Sequence, residues 1–156
     1  MTVPPRDPVA DELALRDLVN RYADAVSRHD ARAVAELFVD DGEWEVAGYG
    51  NPRGHDAIAA FLASMLEGWT RMIHGLVSGR IVLDPTHHDR AHGRWYIVEF
   101  GQRADGVEVF FSGVYHDEYA RDAGLWRFAR RRYDSQFRRV GSEVTTSPFP
   151  ADVDSA

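Results

Sequence analysis

The residues of this sequence best suited to moving a proton are His74, Glu99, Tyr22 and Arg131. An imidazole facing an interior cavity is the natural general base near neutral pH. His74 follows Met72 and Ile73 near the start of a strand-like run, where a lone histidine is equally at home as a structural residue. In the run 91–99, strand alternation puts Glu99 on the face of Trp95 and Ile97. A carboxylate among such neighbours works inside an enclosed cavity, or it is a strand-end acid that reaches water or pairs with an arginine. Tyr22 lies in the apolar stripe of a helical segment, so its ring is expected to be buried and its hydroxyl needs a partner. Arg130, Arg131 and Arg132 must send side chains to both faces of a strand. Alternation groups Arg131 with Ala129 and Tyr133, and the other two with Phe128 and Asp134. An inward arginine would stabilise an oxyanion or a departing anion.

Other chemistries find few tools here. Cysteine is absent, which removes thiolate nucleophiles, thiolate metal sites and disulfides. No lysine is available for a Schiff base or a phosphate loop, because all 18 basic residues are arginine. There is no glycine-rich phosphate loop and no G-x-S-x-G elbow. Of the seven histidines, His87, His88 and His92 are close in sequence but bracket a turn, and their spacing matches no ligand motif. No metal or cofactor is expected.

The elements that would position the candidates follow from periodicity. Asp7-Pro8 reads as an N-cap with proline at the first helical position, opening an amphipathic helix over 8–28 through Leu15, Leu18, Val19, Tyr22 and Val26. On that helix Asp24 falls roughly 180° from Leu15, on the outer face, while Ser27 sits about 120° away, at the margin of the stripe. A second short helix starts at Asp30 with Ala33, Val34, Leu37 and Phe38 as its apolar face; Asp40-Asp41-Gly42 is a turn and 43–46 a short strand. A third helix, from about 55 to 69, is expected to bury Ile58, Phe61, Leu62, Met65 and Leu66. Four long strands follow over 73–83, 91–101, 107–119 and 126–137, joined by turn chemistry at 84–86, 104–106 and 122–124. Tight connections make antiparallel neighbours, so helices followed by a meander imply an α+β fold, N-terminal helices packed on a curved sheet.

The chain has 156 residues and a net charge of −7. That length suits one domain, expected over 10–140 between a leader (1–9) and a loose tail (141–156). An acidic balance disfavours nucleic acid. No run approaches the roughly 20 apolar residues that span a bilayer, and no secretory signal opens the chain, so no membrane and a cytoplasmic address are expected. An outer sheet face with Trp126, Phe128 and Phe110 predicts self-association, as a homodimer or homotrimer.

Several stretches together carry a resemblance: 15–22 (LRDLVNRY), 35–44 (AELFVDDGEW), Ile73-His74-Gly75, Gly93-Arg94-Trp95-Tyr96, and 113–119 leading into 125–128. In these the chain resembles the SnoaL-like branch of the nuclear transport factor 2-like superfamily, and within it the group of scytalone dehydratases and hexachlorocyclohexane dehydrochlorinases. The resemblance implies a cone-shaped α+β barrel and a cofactor-independent lyase, in which a histidine paired with a first-helix aspartate removes a proton. His74 falls on that histidine. Tyr22 and Glu99 fall on a helix tyrosine and a second acid of the bile-acid dehydratases, and Arg131 lies near an arginine that assists halide departure. The dyad aspartate corresponds to Ser27, so either Glu99 supplies the missing charge, the chemistry differs, or the site only binds. The expected ligand is a small hydrophobic molecule, polycyclic or aromatic, bound by Ser27, Met72, Trp95, Ile97, Phe111 and Tyr115. A polyketide-cyclase or ketosteroid-isomerase type of reaction, a non-catalytic binding protein and a dioxygenase β subunit are alternatives on the same fold.

Overall fold

In the computed structural model, which describes residues 7–150, the chain opens with α1 (Pro8–Ser27). The Asp7 carboxylate accepts from the Val9 and Ala10 amides at 3.1 Å, satisfying two of the donors that a helix start leaves open. Leu15, Leu18, Val19, Tyr22 and Val26 form its buried stripe. Next comes α2 (Ala31–Ala35), where Asp30 accepts from the Ala33 amide at 2.9 Å. Then come β1 (Phe38–Val46), α3 (His55–Met65), β2 (Trp69–Leu83), β3 (Arg90–Arg103), β4 (Glu108–Asp122), β5 (Leu125–Val140) and β6 (Glu143–Thr146).

The sheet runs β1-β5-β4-β3-β2, with β6 added to β5. From β2 to β5 it is an antiparallel meander, whereas β1 pairs parallel with β5. The sheet curves into an unclosed cone, ending at β1 and β2, and α1 packs against β2 and β5. This is the α+β arrangement that the order of elements predicts. No helix among the described residues is long and apolar enough to cross a membrane.

Two bulges in β5 decide which side chains face inward. Glu118 opposes Arg130 but Tyr119 opposes Phe128, so Ala129 is the extra residue; Gly113 opposes Ser135 but Ser112 opposes Phe137, so Gln136 is the second. Each extra residue inverts the alternation beyond it. Phe128 and Arg131 therefore both point into the core and are fully buried. This corrects the expected outer apolar face. Phe128 packs on Phe38 at 5.1 Å, Trp126 is buried with its indole N–H donating to Asp11 Oδ1 at 3.1 Å, and Phe110 is half-buried against Phe137. The exposed outer apolar pair is instead Ile73 and Phe100, direct cross-strand partners.

Three further expectations are corrected. Asp40-Asp41-Gly42 is no turn: it lies within β1 at a register irregularity, where the Gly42 backbone packs so tightly on Phe38 and Phe128 that a Cβ would not fit. Phe38 accordingly leaves the second helix and joins the sheet. Met65, expected inside, is 37% exposed because α3 ends there. Within the expected tail, 143–146 pair with β5 as β6, a strand whose four side chains are all exposed, so no burial pattern announced it. Most of the expected leader, and residues 151–156 of the tail, lie outside the described residues.

Candidate active site

The β2–β3 register sets His74 directly opposite Glu99, so both side chains rise from one face of the sheet. Nδ1 of the imidazole and Oε1 of the carboxylate are 2.5 Å apart. A carboxylate can only accept here, so Nδ1 is the donor of this contact. Nε2 is buried and without a partner among the described residues. The ring is enclosed completely, edge-on to Tyr22 (5.6 Å between centroids) and stacked on Tyr115 (5.7 Å), whereas the Glu99 side chain keeps 17% exposure.

Ser27 contributes through the backbone. Its hydroxyl donates to the Ala23 carbonyl at 2.8 Å and accepts from the His74 amide at 2.9 Å. The last turn of α1 thus hooks β2 at the residue carrying the imidazole. Asp24 lies on the exposed side of the helix, paired with Arg28 at 2.9 Å, as its angular position predicts.

Beneath the imidazole the tyrosines and an arginine form a column. The Tyr22 and Tyr115 hydroxyls are 3.2 Å apart. Burial pushes Tyr22 up to about 12, with the Arg131 charge partly opposing, and pushes Tyr115 well above its ordinary value. Both are therefore neutral hydrogen-bond donors at physiological pH. The Arg131 guanidinium lies 4.1 Å from the Tyr22 ring, 4.0 Å from Tyr115 and 4.1 Å from Phe128. Its Nε and Nη2 donate to Asp117 at 2.8 and 2.7 Å. Burial alone would lower the Arg131 pKa, but Asp117 outweighs it and holds the group above its usual range. Asp117 also accepts from Tyr119 at 2.7 Å, and the Tyr119 hydroxyl accepts from Trp95 Nε1 at 2.8 Å.

A cavity of about 610 Å³ opens above this column. Glu99, Tyr22, Tyr115 and Tyr133 give it a polar buried end, and Trp44, Phe61, Trp69, Met72 and Phe111 are apolar wall. Of the residues singled out from sequence, Glu99, Tyr22, Met72, Phe111 and Tyr115 line it. His74 stands directly behind Glu99, and Arg131 one layer below the tyrosines. Trp95 and Ile97 are core residues that do not line it; the Trp95 indole lies across Gly79, where a side chain would collide with it. A larger depression of about 780 Å³ beside Ser27, Arg71 and Phe100 is more open, and neither Glu99 nor the tyrosines reach it. Among the described residues no three His, Asp or Glu side chains converge as metal ligands.

Sequence reading missed Asp117, although alternation with Tyr115 and Tyr119 already places it on their face. It also missed the wall residues Trp44 and Trp69 and the rim arginines Arg103 and Arg138, because each needs the sheet register and the β5 bulges to be located.

The SnoaL-like domain family matches residues 7–132. Over 128 residues the chain is 26% identical to gamma-hexachlorocyclohexane dehydrochlorinase from Sphingobium indicum, a match spanning 80% of each protein. It superposes on a type 2 hexachlorocyclohexane dehydrochlorinase with a TM-score of 0.78 and 20% identity, over 90% of this chain and 95% of the other. A protein from Novosphingobium aromaticivorans, provisionally assigned as a scytalone dehydratase, superposes with a TM-score of 0.74 and 19% identity, over 95% and 96% of the two chains. At such identities the two superpositions speak for a shared fold.

Proposed function

The chain belongs to the SnoaL-like domain family, and from that premise we propose that it is a cofactor-independent lyase, eliminating water or a related leaving group from a small apolar molecule. The observation that carries this reading is the 2.5 Å contact between His74 and Glu99 at the buried end of the cavity. The similarity to a dehydrochlorinase, an enzyme named for an elimination, supports it.

The expected first-helix acid is missing, and Glu99 supplies a carboxylate partner from the neighbouring strand. Because Glu99 lines the cavity and His74 is enclosed, Glu99 is the member of the pair that meets the substrate, with His74 donating to Oε1 and holding it. This reverses the roles expected from sequence, where His74 was the base. A proton leaves a substrate carbon for the free carboxylate oxygen, the C–H electron pair becomes the new double bond, and the leaving group departs from the adjacent carbon. The neutral Tyr22–Tyr115 pair donates a hydrogen bond to a departing oxygen, and the Arg131 charge beneath both rings favours negative charge developing there. For a hydroxyl leaving group the abstracted proton goes out with it as water, restoring the pair.

The test is a screen of hydroxylated and halogenated ring compounds by mass spectrometry, followed by kinetics on a turned-over substrate. Wild type should release water or hydrogen halide, whereas an isomerase or cyclase leaves the mass unchanged. Glu99→Gln should lower kcat by roughly 10²–10⁴, the usual worth of a positioned base. His74→Gln keeps a donor toward Glu99 and should lose less. The opposite order would make the imidazole the base, and near-normal turnover by both variants would remove the proposal.

A further inference from the structure

We propose that the substrate of this cavity carries a carboxylate at the end of its apolar body, and that Arg103 and Arg138 hold it at the mouth; the lyase reading above says only which end reacts. Both arginines line the same cavity as Glu99. Arg103 follows Glu99 by four residues on β3, on the same face of the strand, and so stands about 13 Å further along at ~3.3 Å per residue. Arg138 reaches the cavity through the bulge at Gln136. Unbroken alternation from Tyr133 and Ser135 would send it to the outer face, and the extra residue turns it inward, directly opposite Phe111.

Neither guanidinium makes an ion pair or a side-chain hydrogen bond among the described residues. Arg138 is half-buried, lies 5.6 Å from the Phe111 ring, and has a buried Nε with no partner. The chain carries a net charge of −7, and on its surface Arg16, Arg28, Arg32 and Arg53 each meet a carboxylate. Two open guanidinium forks thus stand on the wall of one cavity in an acidic chain. Their planar donors suit a carboxylate. Ser135, Thr145 and Ser147, from β5, β6 and the segment beyond, line the same cavity, and Thr145 is the strand partner of Arg138.

Charge also orients the ligand. A carboxylate placed at the buried end would face Glu99 across an apolar, water-poor space, where like charges repel strongly. At the mouth it meets two cations. An amphipathic acid enters one way round only, presenting its ring system to Glu99 and the tyrosines.

The experiment uses adamantane-1-carboxylate and adamantane-1-carboxamide, which share a shape and differ in charge, titrated by calorimetry into the full chain at low salt. The wild type should bind the acid about tenfold or more tighter than the amide, the scale of a charge-assisted hydrogen bond. Added salt should erode that preference, a readout that needs no variant. Arg103→Gln with Arg138→Gln should abolish the preference, so that acid and amide bind alike, and Arg138→Gln alone should reduce it if the double variant does not fold. Equal binding of acid and amide, or a preference that survives both substitutions, overturns the proposal and leaves the lyase reading standing. Binding of neither compound overturns the apolar cavity as a ligand site, and this proposal with it.

Discussion

The buried Asp117–Arg131 pair underlies the whole site, and replacing Asp117 with Asn measures what it holds. Both side chains are completely buried and joined by two hydrogen bonds of 2.8 and 2.7 Å. Asp117→Asn keeps the shape but leaves a guanidinium in the core with no counter-charge. Breaking one side of such a pair costs about 3–5 kcal/mol. The asparagine oxygen can still accept one bond, which argues for the lower end. The three aromatic faces at 4.0–4.1 Å do not offset the loss, because they contact the cation before and after the change. Nor can Arg131 escape by releasing its proton, since arginine stays charged throughout the accessible pH range. With a urea m-value of roughly 2 kcal/mol/M, a loss of about 3 kcal/mol moves the unfolding midpoint down by about 1.5 M. Adding Arg131→Met removes the stranded charge. The double variant should recover most of the stability, because an apolar replacement of a buried pair is often close to neutral. The assay is urea unfolding of wild type, both single variants and the double, read as a double-mutant cycle. A loss below about 1 kcal/mol for Asp117→Asn, or a double variant no more stable than Asp117→Asn alone, would refute the reasoning.

Two other measurements probe the same layers. Burial raises Tyr22 to about 12 and also raises Tyr115, Tyr119 and Tyr133, so the folded state binds these protons more tightly than the unfolded chain. Their stabilisation is intact below the ordinary tyrosine pKa of about 10 and is lost as pH rises from there towards 12. An alkaline titration should show their phenolate absorbance appearing together with loss of the circular dichroism signal; smooth ionisation of all six tyrosines in a folded chain would contradict it. At Gly79, the cross-strand partner of Trp95, a methyl group would run into the indole. Gly79→Ala should destabilise by about 1–3 kcal/mol, a Tm fall of roughly 3–8 °C, and an unchanged Tm would mean that the indole has room to move.

What the sequence revealed and what it hid divide along one physical line. Local chemistry was legible: Asp7 and Asp30 cap where their side chains must, the α1 stripe faces the sheet, and the turns of the meander fall at Asp-Gly and Asp-Pro signals. Period-2 reading failed wherever one extra residue entered a strand. The bulge at Ala129 brings Phe128 and Arg131 to one face that alternation divides, and the bulge at Gln136 delivers Arg138 to the cavity. Neither is marked by glycine or proline, because neither extra residue takes the positive φ that would favour glycine. The pairing of His74 with Glu99 was hidden for a related reason. Alternation assigns Glu99 a face, but only the β2–β3 register, which spans 25 residues of chain, makes the two direct partners. His74 and Glu99 meet within one β-ladder. Ser27 ties α1 to the same strand by accepting from the His74 amide. That hydrogen bond couples the seating of α1 on the sheet to the strand that carries His74, and through it to Glu99.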